Sequence, residues 1–153
     1  MTLAYVGLGS NLGDREGTLR AALEALGADP AVQVTAVSTL VETDPVGYVD
    51  QPRFLNGVAV VETELPPRAL LDLLLALEHR FGRRREDVPR GGPRTLDLDL
   101  LLYEGVEIGE PGLRIPHPRL QERAFVLGPL AEVAPGLEVP GRGSVEALLA
   151  GLH

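Results

Sequence analysis

An α+β fold is predicted by three features of the sequence: short apolar runs rich in β-branched residues, two intervening segments of helical spacing, and glycine, proline and aspartate at the junctions. Leu3 to Leu8 reads as a short buried strand, with Gly9-Ser10-Asn11-Leu12-Gly13 supplying a turn and Asp14 suited to N-cap a first helix. Leu19, Ala22, Leu23 and Leu26 then recur at helical spacing, and Gly27 is expected to stop that helix in the left-handed conformation. Val32 to Val41 and Phe54 to Thr63 are strand-like runs separated by a break at Asp44-Pro45-Val46-Gly47, and they are expected to pair. Pro66-Pro67 opens a second helix, whose stripe is Leu70, Leu74, Leu77 and Phe81 and whose end is Gly82. A fourth strand is expected over Thr95 to Tyr103.

The resulting order, β-α-β-β-α-β, is the split βαβ pattern of ferredoxin-like folds, an antiparallel sheet with two helices packed together on one face. The last fifty or so residues form a C-terminal extension. It carries Gly/Pro-rich turns, an apolar segment from Ala124 to Ala134 and a terminal helix starting near Ser144. At 153 residues the chain is read as one domain spanning 1–153, without internal repeats.

Composition narrows the function. No cysteine is present, which excludes thiolate metal sites, disulfides and a cysteine nucleophile, and is compatible with a reducing compartment. With no signal-like N-terminus and no membrane-length apolar run, the expectation is a cytoplasmic protein without a membrane partner. The net charge of −8 argues against nucleic acid as a partner, and against a nuclease or nucleotidyl transferase, because such proteins present a broad basic surface. Yet all fourteen basic residues are arginines, and Arg80, Arg83, Arg84, Arg85, Arg90 and Arg94 fall within one short segment. Guanidinium groups match phosphate oxygens bidentately, so this concentration suits a small, highly charged anion such as a polyphosphate.

The segment Arg94-Thr95-Leu96-Asp97-Leu98-Asp99-Leu100 alternates strictly. Side chains two apart on a strand share a face, so Asp97 and Asp99 are expected as neighbours about 7 Å apart, with Leu96, Leu98 and Leu100 anchored in the core behind them. Such a pair fits magnesium, which takes a few carboxylates and fills its remaining positions with water and substrate phosphates. Arginines immediately before a cation-binding pair describe a site for a metal-bound polyphosphate.

These residues resemble the 6-hydroxymethyl-7,8-dihydropterin pyrophosphokinases of folate biosynthesis. The resemblance is carried by Ala4 to Gly13, by Thr43 to Asn56 ending in Asp50-Gln51-Pro52-Arg53-Phe54-Leu55-Asn56, by Gly92 to Asp99 with its Gly-Pro-Arg-Thr-Leu-Asp-Leu-Asp string, and by Pro116-His117 with Arg123 and Phe125. It implies an enzyme that transfers pyrophosphate from ATP to the pterin, with two magnesium ions on Asp97 and Asp99. By resemblance, the pterin ring lies between Phe54 and Phe125 and is read by Asn56 and by backbone around Thr43 and Val46. ATP is contacted by Glu78, Arg83, Arg85, Arg94, Leu100, His117 and Arg123, with Arg83 and Arg94 also counted as catalytic. The chain departs from better-known members at Gly91, where a tryptophan is frequent, at Pro118, where an aromatic residue follows the histidine, and at Phe54, where tyrosine is common. Loops 44–52 and 83–93 are the expected lids, and a monomer acting on small molecules is expected. The alternative is a non-catalytic ferredoxin-like domain that uses the same phenylalanines as a small-molecule pocket and has no need of Asp97 and Asp99.

Overall fold

The computed structural model describes residues 1–44, 52–81 and 96–152. Its centre is an antiparallel sheet of β1 (Thr2–Ser10), β2 (Val32–Val37), β3 (Val41–Thr43), β4 (Phe54–Thr63) and β5 (Asp97–Tyr103), with β2, β4, β1 and β5 side by side and β3 paired to the end of β4. Helices α1 (Arg15–Gly27) and α2 (Pro67–Arg80) complete the expected β-α-β-β-α-β order. Asp14 caps α1 as expected, its carboxylate accepting from the Gly17 amide at 3.0 Å. Pro67 occupies the first turn of α2, where its missing N–H costs nothing.

Both faces of the sheet are covered. Ala4, Val6, Leu8, Ala59 and Val61 pack with Leu19, Leu26, Leu70 and Leu74 of α1 and α2 on one side. On the other, Tyr5, Val58, Val60 and Leu101 pack with Val126, Leu127 and Leu130 of α3 (Ala124–Val133) and Val145 of α4 (Val145–Ala150). The C-terminal extension therefore supplies a second core. Between β5 and α3 lie a small hairpin of β6 (Ile108–Glu110) and β7 (Leu113–Ile115) and one 3-10 turn (Leu120–Glu122). Strands β8 (Glu138–Val139) and β9 (Gly143–Ser144) form a second hairpin before α4.

The structure corrects four expectations. Strand β1 runs through Ser10, so Gly9 and Ser10 are strand residues rather than a turn. Gly27 stays helical and the chain leaves α1 through Ala28 in a right-handed conformation, so the left-handed stop is not used. The run from Val32 to Val41 divides into β2 and β3 because Ser38 takes over the backbone's bonding: its hydroxyl accepts from the Val58 amide at 2.9 Å, and Leu40 folds over Gly57, where a Cβ would stand 2.7 Å from the Leu40 side chain. Strand β5 starts at Asp97, with Leu96 preceding it and Thr95 outside the described residues. Gly82 lies outside them too.

Candidate active site

Strand β5 forms an edge of the sheet. Leu96, Leu98 and Leu100 are at most 5% exposed and sit in the α1/α2 core, which turns Asp97 and Asp99 together towards the opposite face, where both are half-buried. The neighbouring strand places Gly9 beside Asp97 and Gly7 beside Asp99. Gly9 is where three candidate side chains converge: a Cβ there would lie 3.0 Å from Asn56 Oδ1 and 3.8 Å from both Asp97 Cβ and Phe54 Cδ1. Glycine inside a strand marks such close approaches.

On the outer edge of β5, the Leu98 amide donates to Glu78 Oε2 at 2.7 Å. Glu78 is only 3% exposed, so a residue expected near the nucleotide also ties α2 to the strand carrying the aspartates. A buried backbone N–H left without such an acceptor would carry its full desolvation cost.

Phe54 and Asn56 share one face of β4, as their spacing predicted, and open into a cleft of about 530 Å³ together with Thr43, Asp97, Asp99, Arg123 and Phe125. Strand β3 brings Thr43 alongside, and its hydroxyl accepts from Asn56 Nδ2. That bond fixes the amide plane, leaving Oδ1 over Gly9. Phe125, at the start of α3, enters from the second core, and the Arg123 guanidinium stands 5.6 Å above its ring centroid in a cation–π contact.

A second cleft of about 350 Å³ lies on the other side of the aspartates, between α2 and β7, lined by Leu71, Leu75, Glu78, Leu98, Leu100 and Arg114 among others. Asp97, Asp99, His117 and Pro118 line both clefts and so form their common wall. The Leu100 side chain is buried in the core at the base of this cleft. Two lining groups were missed from sequence. Leu71 and Leu75 make an i,i+4 row beside the main stripe of α2, with Leu75 exposed, and an unburied leucine row was the available signal. Arg114, alone in a short hairpin strand, gave none.

His117 is held by several bonds. Its amide donates to Leu101 O at 2.9 Å, and its Nδ1 accepts from the Arg119 amide at 3.2 Å, which leaves the ring proton on Nε2. Burial, with help from Arg123, Arg142 and Arg119 and against the opposing pull of Asp97, lowers its pKa to about 4, so the ring is neutral at pH 7. Val46, Arg83, Arg85 and Arg94 lie outside the described residues.

The donor set suits magnesium. Among the described residues no group of three carboxylate, histidine or cysteine side chains is arranged to enclose a metal, and two aspartates in an open wall match an ion that keeps most positions for water and phosphate.

The family model described as 7,8-dihydro-6-hydroxymethylpterin-pyrophosphokinase matches residues 5–135, from the glycines of β1 through the end of α3. The chain belongs to this family. Among similar members, the 2-amino-4-hydroxy-6-hydroxymethyldihydropteridine pyrophosphokinase of Methylorubrum extorquens is 47% identical over 148 residues, covering 97% of this chain and 92% of that one. The protein of the same name from Bacillus subtilis is 51% identical over 136 residues, covering 89% and 80%. The fold also resembles an HPPK-DHPS protein solved in complex with substrates (TM-score 0.73, 12% identity, 98% of this chain and 43% of that one). The Plasmodium falciparum HPPK-DHPS with pteroate is similar too (TM-score 0.74, 15% identity, 98% and 42%). This pyrophosphokinase chain thus spans less than half the length of those two solved chains.

Proposed function

We propose that the chain transfers the pyrophosphoryl group of ATP to 6-hydroxymethyl-7,8-dihydropterin in folate biosynthesis, giving the pterin diphosphate and AMP, as a monomer in the cytoplasm. The observation that carries this reading is the placement of Asp97 and Asp99 in the wall common to two clefts of different chemistry. One cleft offers aromatic rings and a fixed amide, and the other an apolar shelf with a cation at its rim.

In this reading the pterin ring stacks between Phe54 and Phe125. Asn56 Oδ1 accepts from the polar edge of the ring, and backbone near Thr43 and Val46 completes the recognition. The nucleotide base rests on Leu71, Leu75 and the Leu100 end of the second cleft, with Glu78 below. Its phosphates run towards the aspartates, met by Arg83, Arg85, Arg94 and Arg123 and by the Nε2–H of His117. Asp97 and Asp99 would hold two magnesium ions, whose chemistry is to neutralise phosphate charge and lower the pKa of the attacking hydroxyl. The hydroxymethyl oxygen attacks the β-phosphorus, its proton passes to solvent water, and the bond from that phosphorus to the bridging oxygen breaks, so that this oxygen leaves with AMP. Arg83 and Arg94 stabilise the charge that shifts onto the bridging and leaving oxygens. A neutral His117 serves this as a hydrogen-bond donor and not as a base. A non-catalytic pocket gives no reason to hold two carboxylates between the clefts.

The direct test is incubation with ATP, magnesium and 6-hydroxymethyl-7,8-dihydropterin, followed by separation of nucleotides. AMP formed in step with pterin diphosphate supports the assignment, and ADP or no turnover overturns it.

A further inference from the structure

The loop bearing His117 is secured from a part of the chain that lies beyond the family-matched residues 5–135. Arg142 sits in the turn of the β8–β9 hairpin, flanked by Gly141 at φ +73 and Gly143 at φ +109. Both glycines adopt the left-handed region that other residues avoid, and the turn they build is closed by the Arg142 amide donating to Val139 O at 2.9 Å. It presents the Arg142 side chain back towards the active site. There the half-buried guanidinium donates from Nη1 to His117 O at 2.7 Å and to Gln121 Oε1 at 2.6 Å.

These two bonds bracket the segment that sets the direction of the imidazole. The ring's Nδ1 is tied to the Arg119 amide, and among the described residues the His117 carbonyl is otherwise approached by the Leu120 amide at 3.2 Å. A cationic donor with a planar fork holds a carbonyl more strongly than a neutral amide at that distance, and fixing both His117 and Gln121 restrains the backbone from either side of Arg119.

We propose that Arg142 is a positioning residue for catalysis: by anchoring the His117 carbonyl and Gln121 from the C-terminal hairpin, it aims the Nε2–H of His117 at the nucleotide phosphates. The inference rests on the reading of His117 as a phosphate donor. Arg142 touches no substrate itself.

The experiment is a double-mutant cycle on the full chain, with His117→Ala, Arg142→Ala and both together, read as kcat/KM for ATP, KM for the pterin and Tm. Arg142→Ala is expected to lower kcat/KM for ATP about tenfold, the size of effect produced by loss of one aligned hydrogen bond, with the pterin KM within about twofold of wild type. In the His117→Ala background the same substitution is expected to change ATP kinetics less than about twofold, because the carbonyl anchor remains but the imidazole it aims is gone. Arg142→Lys, which keeps a cation that reaches the carbonyl, is expected to recover part of the loss. A lowered Tm with ATP kinetics unchanged would mean that Arg142 only pins the hairpin, and an undiminished loss in the His117→Ala background would mean that it acts by another route; either result overturns the proposal. If His117→Ala alone leaves ATP kinetics at the wild-type level, the phosphate-donor role of His117 fails and the inference fails with it. If His117→Ala is costly while Arg142→Ala is silent, only the inference fails.

Discussion

Replacing Gly9 by alanine is the most economical probe of how the pterin cleft is built. The added methyl carbon would stand 3.0 Å from Asn56 Oδ1, inside ordinary van der Waals contact, while its distances to Asp97 Cβ and Phe54 Cδ1, both 3.8 Å, are comfortable. Something must give by a few tenths of an ångström, and the choice falls on the amide, since the strand partners on either side of Gly9 are backbone. Asn56 is already tied to Thr43 through Nδ2, so it cannot retreat without turning Oδ1 away from the position proposed to read the pterin. Losing one buried hydrogen bond to substrate costs about 1–2 kcal/mol, or roughly 5- to 30-fold in pterin affinity. The fold should not suffer, because alanine in a strand interior is favoured over glycine by about 0.5–1 kcal/mol. Gly7→Ala serves as the control, since a Cβ there meets Leu101 Cδ2 at 3.4 Å and Asp99 Cβ at 3.6 Å, both ordinary van der Waals contacts. Steady-state kinetics with each substrate varied in turn, alongside thermal melts, would show a raised pterin KM for Gly9→Ala, little change for ATP, and a mild phenotype for Gly7→Ala. A Gly9→Ala enzyme with the wild-type pterin KM would refute the reading of the pterin edge by Asn56 Oδ1.

Asp97→Ala or Asp99→Ala is expected to abolish pyrophosphoryl transfer while shifting Tm by no more than a few degrees, measured by AMP release and calorimetry; turnover near wild type in either variant removes the metal assignment. Glu78→Ala should cost about 1–3 kcal/mol in chemical denaturation, because the buried Leu98 amide loses its acceptor. Activity should fall further than that instability explains if Glu78 steadies the aspartate strand. The His117 ring, with a pKa near 4 against an ordinary 6.5, refuses a proton that the unfolded chain accepts. Its contribution to stability is therefore complete above pH 6.5 and is lost as pH falls towards 4, by about 1–2 kcal/mol after allowing for the ring's partial exposure. Urea melts of wild type and His117→Asn across that range should differ in slope, and parallel curves would contradict it.

Local pattern made much of this molecule legible in advance. The alternation around Asp97 and Asp99 fixed which face each residue takes, because period-two geometry is a property of any strand. Phe54 and Asn56 fell together for the same reason. Helix α2 was readable from its stripe and its opening proline. What escaped was set by distant partners. Gly9 looks like a turn residue until β4 and β5 close on both sides of it, and the division of Val32 to Val41 depends on Ser38 meeting Val58, twenty residues away. The apolar segment from Ala124 to Ala134 announced a buried element without revealing that it would roof the second side of the sheet. Glu78 lines the second cleft, yet its bond to Leu98 depends on how α2 lies along β5.

Strand β5 contains one surplus residue. Its pairing with β1 runs from Asp97 to Leu100, skips Leu101, and resumes at Leu102 and Tyr103. Before the skip odd-numbered side chains face the aspartate side, and after it the parity inverts: Leu102 joins Leu101 in the second core, while Tyr103 swings into the first and its hydroxyl donates to Leu65 O at 2.5 Å. The skipped residue also offers the carbonyl on which the His117 amide is hung. An unbroken ladder would impose one alternation on both ends of the strand. The surplus residue lets the reactive end and the scaffolding end obey separate patterns, so substitutions that repack Leu102 and Tyr103 need not disturb the direction in which the two acids point.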